Sequence, residues 1–180
     1  MPKYAASNVA ALFENCSALT DVSLPMLTKL NSYIFNNCTS LTSISLPSVT
    51  TSDNGYSFQN CTSLVNVSLP LLNRAYQYEF DGCSSLKSIS LPNVTSVGNW
   101  GFRNCIALEN VSLPKATELG NAVFMGCVSL TNISLPAVTK TYDSCFEGCT
   151  ALESISFPSV TSFSGSVFKN CTSLTEITET

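Results

Sequence analysis

Eight cysteines recur along this chain at an almost constant interval. They stand 22 residues apart, except for one step of 23 residues between Cys38 and Cys61. A fixed period of this length is typical of a solenoid, in which each coil buries its apolar side only by stacking on its neighbours. The cysteine ladder consists of Cys16, Cys38, Cys61, Cys83, Cys105, Cys127, Cys149 and Cys171. We therefore predict a repeat architecture.

Apolar residues follow the same period. A Phe stands three residues before each ladder cysteine, a Leu three residues after it, and an Ile or Val six residues after it; around the fourth cysteine these are Phe80, Leu86 and Ile89. Residues 89–91 alternate apolar and polar, as in a strand with one buried face. Pro92 then ends the pairing, because proline has no N–H to donate. We predict a mostly β solenoid with one parallel sheet along one face and short 3-10, helical or irregular turns opposite.

Length and composition indicate a single domain. The chain has 180 residues, of which 44% are hydrophobic, enough for one continuous core. We expect residues 1–180 to form one solenoid of about eight coils of 22–23 residues, with partial repeats at the two ends. No substantial cap is recognisable at either end, although repeat arrays normally need one. We expect a segment of a longer array, and the alternative is a minimally capped protein.

The cysteine positions also predict local structure. The residue before each ladder cysteine is Asn or Gly, and these two residues adopt a positive φ most readily. We therefore expect a left-handed turn there in every coil. The ladder cysteines themselves are expected to be small buried thiols, not disulfides, because they are embedded in an apolar pattern. Cys145 lies outside the ladder and is predicted to be the more reactive thiol.

Several function classes are excluded by composition. The net charge is −4, and the 8 Lys and Arg residues do not cluster, so nucleic acid is not an expected partner. No apolar stretch is long enough to insert in a membrane, and residues 1–4 do not open a signal peptide. The chain has no His and no paired Cys-x-x-Cys motif, so we expect no metal and no cofactor. Its 12 acidic residues are scattered, and we predict neither catalytic residues nor enzyme activity.

A row of serines is the first candidate surface. Seven residues after the ladder cysteines stand Ser45, Ser68, Ser90, Ser112 and Ser134, with Ser23 and Ser156 at the ends of the same row. Each lies between two residues that are expected to be buried, so their hydroxyls should face solvent on the sheet. A regular array of hydroxyls would suit a glycan or another regular lattice. The alternative is that serine merely suits a closely packed concave face.

The variable stretch before each Phe is the second candidate surface. It holds five of the six tyrosines and the one tryptophan: Tyr33, Tyr56, Tyr76, Tyr78, Trp100 and Tyr142. Large aromatic residues among Ser, Gly, Asn and Asp are typical of protein-binding surfaces. The alternative is that Tyr33, Tyr56, Tyr78 and Trp100, which share the register two residues before Phe, only stack on one another over the core. Tyr76 and Tyr142 stand outside that register.

The motif Phe80-x-x-Cys83-x-x-Leu86-x-x-Ile89-x-Leu91-Pro92 resembles the repeats of the BspA-like leucine-rich repeat family. The resemblance extends over nearly the whole chain. It implies a right-handed leucine-rich-repeat coil, and it implies a surface or secreted protein of a host-associated microbe with a role in adhesion to host proteins.

These observations together predict a non-catalytic protein-binding or adhesion module that binds a host or partner protein through the aromatic-bearing edge of the solenoid. One alternative is a structural spacer, or a segment that self-associates end to end. A second alternative is a glycan or lattice binder that uses the serine row.

Overall fold

The computed structural model describes residues 10–179. Residues 1–4, on which the expected absence of a signal peptide rests, lie outside the described residues. The described residues form thirteen short strands and contain no helix, and therefore no helix that could cross a membrane. The chain winds into stacked coils, as the cysteine period predicts. The helical alternative for the turns is wrong: they are irregular turns that link two strands per coil.

The first column of strands carries the predicted sheet. Its strands are β2 (Ser43–Ser45), β4 (Asn66–Ser68), β6 (Ser88–Ser90), β8 (Asn110–Ser112), β10 (Asn132–Ser134), β12 (Ser154–Ser156) and β13 (Glu176–Thr178). All pairings are parallel and in register, so that Ile44 lies beside Val67 and Ser45 beside Ser68. In β2, β6 and β10 the central residue is buried in the core while the two flanking residues are exposed. The column is divided into β2–β4, β6–β8 and β10–β12–β13.

A second column of strands was not predicted. It consists of β1 (Lys29–Leu30), β3 (Thr51–Ser52), β5 (Arg74–Ala75), β7 (Ser96–Val97), β9 (Glu118–Leu119) and β11 (Lys140–Thr141). β1 pairs with β3, and β5, β7, β9 and β11 form one four-stranded parallel sheet. The prediction of a single sheet is therefore incomplete. A two-residue strand has only one inward residue, which is too short for an alternating pattern to be recognised.

The core is a column of phenylalanines backed by the cysteine ladder. The Phe rings from Phe13 to Phe146 stack nearly parallel, with centroids 5.2–5.5 Å apart at each step. Each ladder thiol after the first donates to the carbonyl of the Phe one coil earlier, as Cys61 Sγ does to Phe35 O at 3.1 Å. Burial raises the pKa of Cys61 to about 12. The ladder cysteines are free thiols, as predicted.

The prediction for Cys145 is wrong. Its side chain is fully buried, and burial raises the pKa of the thiol to about 12, so it is neither accessible nor ionised near neutral pH. The reason is its place directly before Phe146, in a row that points into the core and holds Ile34 and Val123 in other coils. The exposed thiol is that of Cys16.

Left-handed turns occur where the sequence predicts them. All eight residues before the ladder cysteines have φ between 58° and 75°. The extra residue of the 23-residue step lies between β3 and Tyr56, where Asn54 and Gly55 both have positive φ. The extra residue therefore bulges at one corner of a coil and leaves both strand columns in register.

Candidate functional site

Four aromatic side chains form one continuous stack along an edge of the solenoid. This aromatic stack consists of Tyr33, Tyr56, Tyr78 and Trp100. Successive ring centroids are 4.7 Å apart, and successive rings are inclined by 17–18°. Tyr33 is 37% exposed and the other three rings are half-buried. The four rings therefore stack on one another, as the alternative interpretation predicted, and they are still partly exposed to solvent.

The backbone under the aromatic stack is in the left-handed region. The four residues have φ between 54° and 62°, which bulky side chains rarely adopt and which costs roughly 1–2 kcal/mol per residue. The same row continues with Ala122 at φ 52° and Ser144 at φ 56°. The turn is therefore a property of the coil, and small residues occupy it as well. Aromatic rings are present although the local geometry does not require them.

Backbone hydrogen bonds fix the spacing of the rings. The N–H of Tyr56 donates to Gln77 O at 3.0 Å, that of Tyr78 to Asn99 O at 3.0 Å, and that of Trp100 to Asn121 O at 2.9 Å. Each ring is thereby held one coil above the next. The backbone thus holds the four residues at the spacing of the coils.

A charged pair flanks the stack. Arg103 donates from Nε and Nη2 to the two carboxylate oxygens of Asp81, both at 2.9 Å, and its guanidinium carbon lies 5.4 Å from the Tyr78 ring centroid. The hydrogen bonds that Arg103 donates to Asp81 raise the pKa of Arg103. Gln59 also donates to Asp81 at 3.0 Å, so the carboxylate, although buried, is well satisfied.

Tyr76 and Tyr142 are not part of the aromatic stack; they line a separate cleft. They stand in one row at 22-residue spacing, with Gly98 and Gly120 between them, and both rings are half-buried. The cleft, which we call the notch, has a volume of about 410 Å³. The structure therefore separates the six predicted aromatic residues into a stack of four and a pair that borders the notch.

The serine row lies in a long groove on the other face of the coil. Ser45, Ser68, Ser90, Ser112 and Ser134 are exposed, as predicted, next to a second column of Ser and Asn side chains. This serine groove has a volume of about 1120 Å³ and extends from Asp21 to Ser134. Asp21 is the one charged residue that lines it. The groove presents hydroxyl and amide groups but no aromatic ring.

The carboxyl group of Glu79 is buried in the core and was missed by the sequence reasoning. Glu79 is fully buried, and Ser52 donates its hydroxyl to the carboxylate at 2.9 and 3.1 Å. Burial raises the pKa of Glu79 to about 7. The carboxylate is closed off from solvent and cannot meet a substrate. Within residues 10–179 no three His, Cys, Asp or Glu side chains are grouped to hold a metal ion.

Comparisons with known proteins identify relatives of this chain. A family model described as a BspA type leucine rich repeat region matches residues 9–75 and 73–180 in six copies. No curated protein matches. Among solved structures, a leucine rich cell surface protein from Faecalibacterium prausnitzii A2-165 is similar at 25% identity with a TM-score of 0.58, over 94% of this chain and 68% of that one.

Two further structures are more similar in shape. A leucine-rich repeat protein from Bacteroides ovatus ATCC 8483 has 31% identity and a TM-score of 0.72, over 92% of this chain and 50% of that one. A leucine-rich repeat protein of T. pallidum has 28% identity and a TM-score of 0.75, over 87% of this chain and 76% of that one. The chain thus spans half the length of the B. ovatus protein and larger shares of the other two.

Proposed function

The chain belongs to the BspA-type leucine-rich repeat family, and from this premise we propose that it is an adhesion module of a microbial surface or secreted protein. It binds a host or partner protein through the edge that carries the aromatic stack. The cell-surface relative from F. prausnitzii supports the location. The observation that carries the proposal is the stack itself, a row of part-exposed rings in a backbone conformation that smaller residues adopt more easily.

The energy balance of the stack favours a role in binding. An aromatic pair contributes about 0.5–1.5 kcal/mol beyond its buried area, while a left-handed bulky residue costs roughly 1–2 kcal/mol. Three stacked pairs do not by themselves offset the backbone cost of four left-handed residues, so stacking alone does not account for the aromatic residues in this row. Ala122 and Ser144 show that coils without them have the same backbone. Tyr and Trp are enriched among the residues that dominate binding energies in protein interfaces.

The geometry also suits a protein partner. The rings are held by backbone hydrogen bonds, so little conformational entropy is lost when a partner packs on them. Arg103, held by the buried Asp81, lies beside the apolar rings and is part-exposed, which matches an interface with an apolar centre and a polar rim. Tyr76 and Tyr142 are placed at the periphery of the same edge, where contacts contribute less than at the centre.

Immobilised extracellular-matrix proteins provide the test. The chain and a double variant, Tyr56→Ser with Tyr78→Ser, are compared by surface plasmon resonance. Serine is chosen because Ser144 occupies the equivalent position in another coil. We expect the variant to lose at least tenfold in affinity, since one central aromatic residue contributes about 1.4 kcal/mol or more. A Ser90→Ala variant in the serine groove is the control and should bind like the parent chain. Equal binding by the stack variant would contradict the proposal.

Self-association remains the alternative for which the structure offers an observation. β13 pairs with β12 on one side, and Ile177 on this strand is 43% exposed, as an unpaired strand edge would be. End-to-end stacking would cover this edge. Light scattering over a range of concentrations would detect the increase in mass, and a constant monomer mass would exclude this alternative.

Lattice binding by the serine groove is less favoured. A lattice binder needs a continuous flat sheet, whereas the strand column under the groove is hydrogen-bonded in three separate parts, with breaks between β4 and β6 and between β8 and β10. The Ser90→Ala variant tests this alternative directly, because it removes a hydroxyl from the middle of the row.

A further inference from the structure

We propose that the notch between Tyr76 and Tyr142 is a binding site for a neutral saccharide unit. This site is distinct from the aromatic stack and does not depend on the protein-binding function proposed above. Its volume of about 410 Å³ falls within the range of roughly 300–1,000 Å³ that is typical of small-molecule sites. The size, the walls and the polar groups of the notch each point to this class of ligand.

The floor of the notch is bare backbone. A Cβ added at Gly98 would lie 2.6 Å from the Gln77 nitrogen, and one added at Gly120 would lie 2.5 Å from Asn99 Oδ1. Any larger residue at these two positions would therefore collide with the coil before it. Both glycines are required by close packing against that coil, and neither projects a side chain between the two tyrosines.

The walls are two tyrosine rings held in place by neighbours. The Tyr142 hydroxyl donates to Glu118 Oε1 at 3.0 Å, and Lys140 Nζ lies 4.4 Å from its ring centroid without lining the notch. Arg74 lies 4.6 Å from the Tyr76 ring centroid. Each ring is thus supported on the rigid second strand column. A pyranose ring has an apolar C–H face that packs on such aromatic surfaces.

The polar groups of the notch are mostly amides. Asn54, Gln77, Asn99 and Asn121 line it, and the Asn121 N–H donates to Asn99 Oδ1 at 2.8 Å, which orients that amide. An amide side chain both donates and accepts hydrogen bonds, and so does a sugar hydroxyl. An apolar ligand would leave these groups without partners, at a cost in free energy.

The charges of the notch favour a neutral ligand. Arg74 and Glu118 both line it, so the attraction of an ion to one of them is offset by its repulsion from the other. A polyhydroxylated ring can accept from Arg74, donate to Glu118 and pack on a tyrosine at the same time. The serine groove has hydroxyls and amides as well, but it lacks aromatic walls, which is why the saccharide is assigned to the notch.

The test is a titration of the full chain, labelled with ¹⁵N, with the methyl glycosides of glucose, galactose, mannose and N-acetylglucosamine. We expect at least one glycoside to cause saturable shifts at the backbone amides of Gly98, Gly120 and Asn121. A Tyr142→Ser variant should bind that glycoside at least tenfold more weakly. Serine is chosen because Ser164 occupies the equivalent position in the next coil. Tyr33→Ser, in the aromatic stack, is the matched control and should bind the glycoside like the parent chain.

Folding is checked separately by thermal unfolding, so that a loss of binding by a folded Tyr142→Ser variant supports the site. The proposal is overturned if none of the four glycosides causes saturable shifts at the notch. It is equally overturned if the shifts occur at the serine groove, or if a folded Tyr142→Ser variant binds the glycoside like the parent chain. Loss of matrix-protein binding in the stack variant is a separate result and bears on the other proposal alone.

Discussion

Replacement of Glu79 by Gln is expected to remove a large part of the pH dependence of stability. The carboxyl group is fully buried, and its nearest polar partner is the hydroxyl of Ser52, 2.9 Å from Oε2. Burial raises the pKa of Glu79 from 4.5 to about 7, because the charged form loses its hydration in the core. A Gln side chain has the same shape, stays neutral at every pH and can still accept from Ser52.

The sign of the effect follows from proton binding. The folded state holds the proton of Glu79 more tightly than the unfolded state, so its contribution to stability is complete below about pH 4.5. This contribution decreases as the pH rises to about 7 and is constant above that. The difference between 4.5 and about 7, at about 1.4 kcal/mol per unit, corresponds to about 3 kcal/mol in the free energy of unfolding.

The assay is urea unfolding, followed by tryptophan fluorescence, at a series of pH values from about 4 to 8 that bracket both ends of this window. All other titrating groups are common to the chain and to Glu79→Gln, so the difference between their unfolding free energies isolates Glu79. We expect the variant to gain about 3 kcal/mol relative to the parent chain between the acidic and the basic end of the window. Glu153→Gln, at an exposed glutamate, should show little such gain. A flat difference for Glu79→Gln would refute the reasoning.

Three other expectations concern the coils. A thiol reagent should modify Cys16 in the native chain and leave Cys145 unmodified until denaturant is added; early modification of Cys145 would contradict its burial. Phe102→Ala, in the middle of the Phe column, should lower the free energy of unfolding by about 3–5 kcal/mol, measured in urea. Gly55→Ala should destabilise the chain far more than Gly148→Ala: both have positive φ, but a Cβ at Gly55 would overlap the Gln77 carbonyl, whereas one at Gly148 has its nearest neighbour at 3.7 Å. Equal melting temperatures for the two variants would argue against this packing.

Features that recur in every coil could be predicted from the sequence. The cysteine ladder, the Phe column, the left-handed residue before each cysteine and the exposed serine row appear eight times or nearly so, and repetition reveals which position points inward. The physical cause is that every coil packs on a nearly identical neighbour. A side chain that suits one interface therefore suits the next.

Features that occur once could not be predicted in the same way. Cys145 and Glu79 stand in one row that is apolar in most coils, and only the fold shows that the row directly before Phe faces the core. The shared position of the four aromatic residues in the stack could be predicted from the sequence. The exposed fraction of each ring could not, because it depends on the shape of the folded edge. The notch could have been found from the sequence, because two glycines separate two aromatic residues in one row at 22-residue spacing: Tyr76, Gly98, Gly120 and Tyr142.

The aromatic stack also gives the protein a defined optical property. Trp100 is the one tryptophan of the chain, and it is the last ring of the stack, 4.7 Å from Tyr78. Excitation energy absorbed by Tyr33 or Tyr56 can pass from ring to ring and reach the indole, which absorbs at lower energy than a phenol. Light absorbed anywhere in the stack is then emitted at one end. Trp100 emission excited through the tyrosines thus reports on the whole stack, and a partner that covers the indole itself alters the colour of that emission.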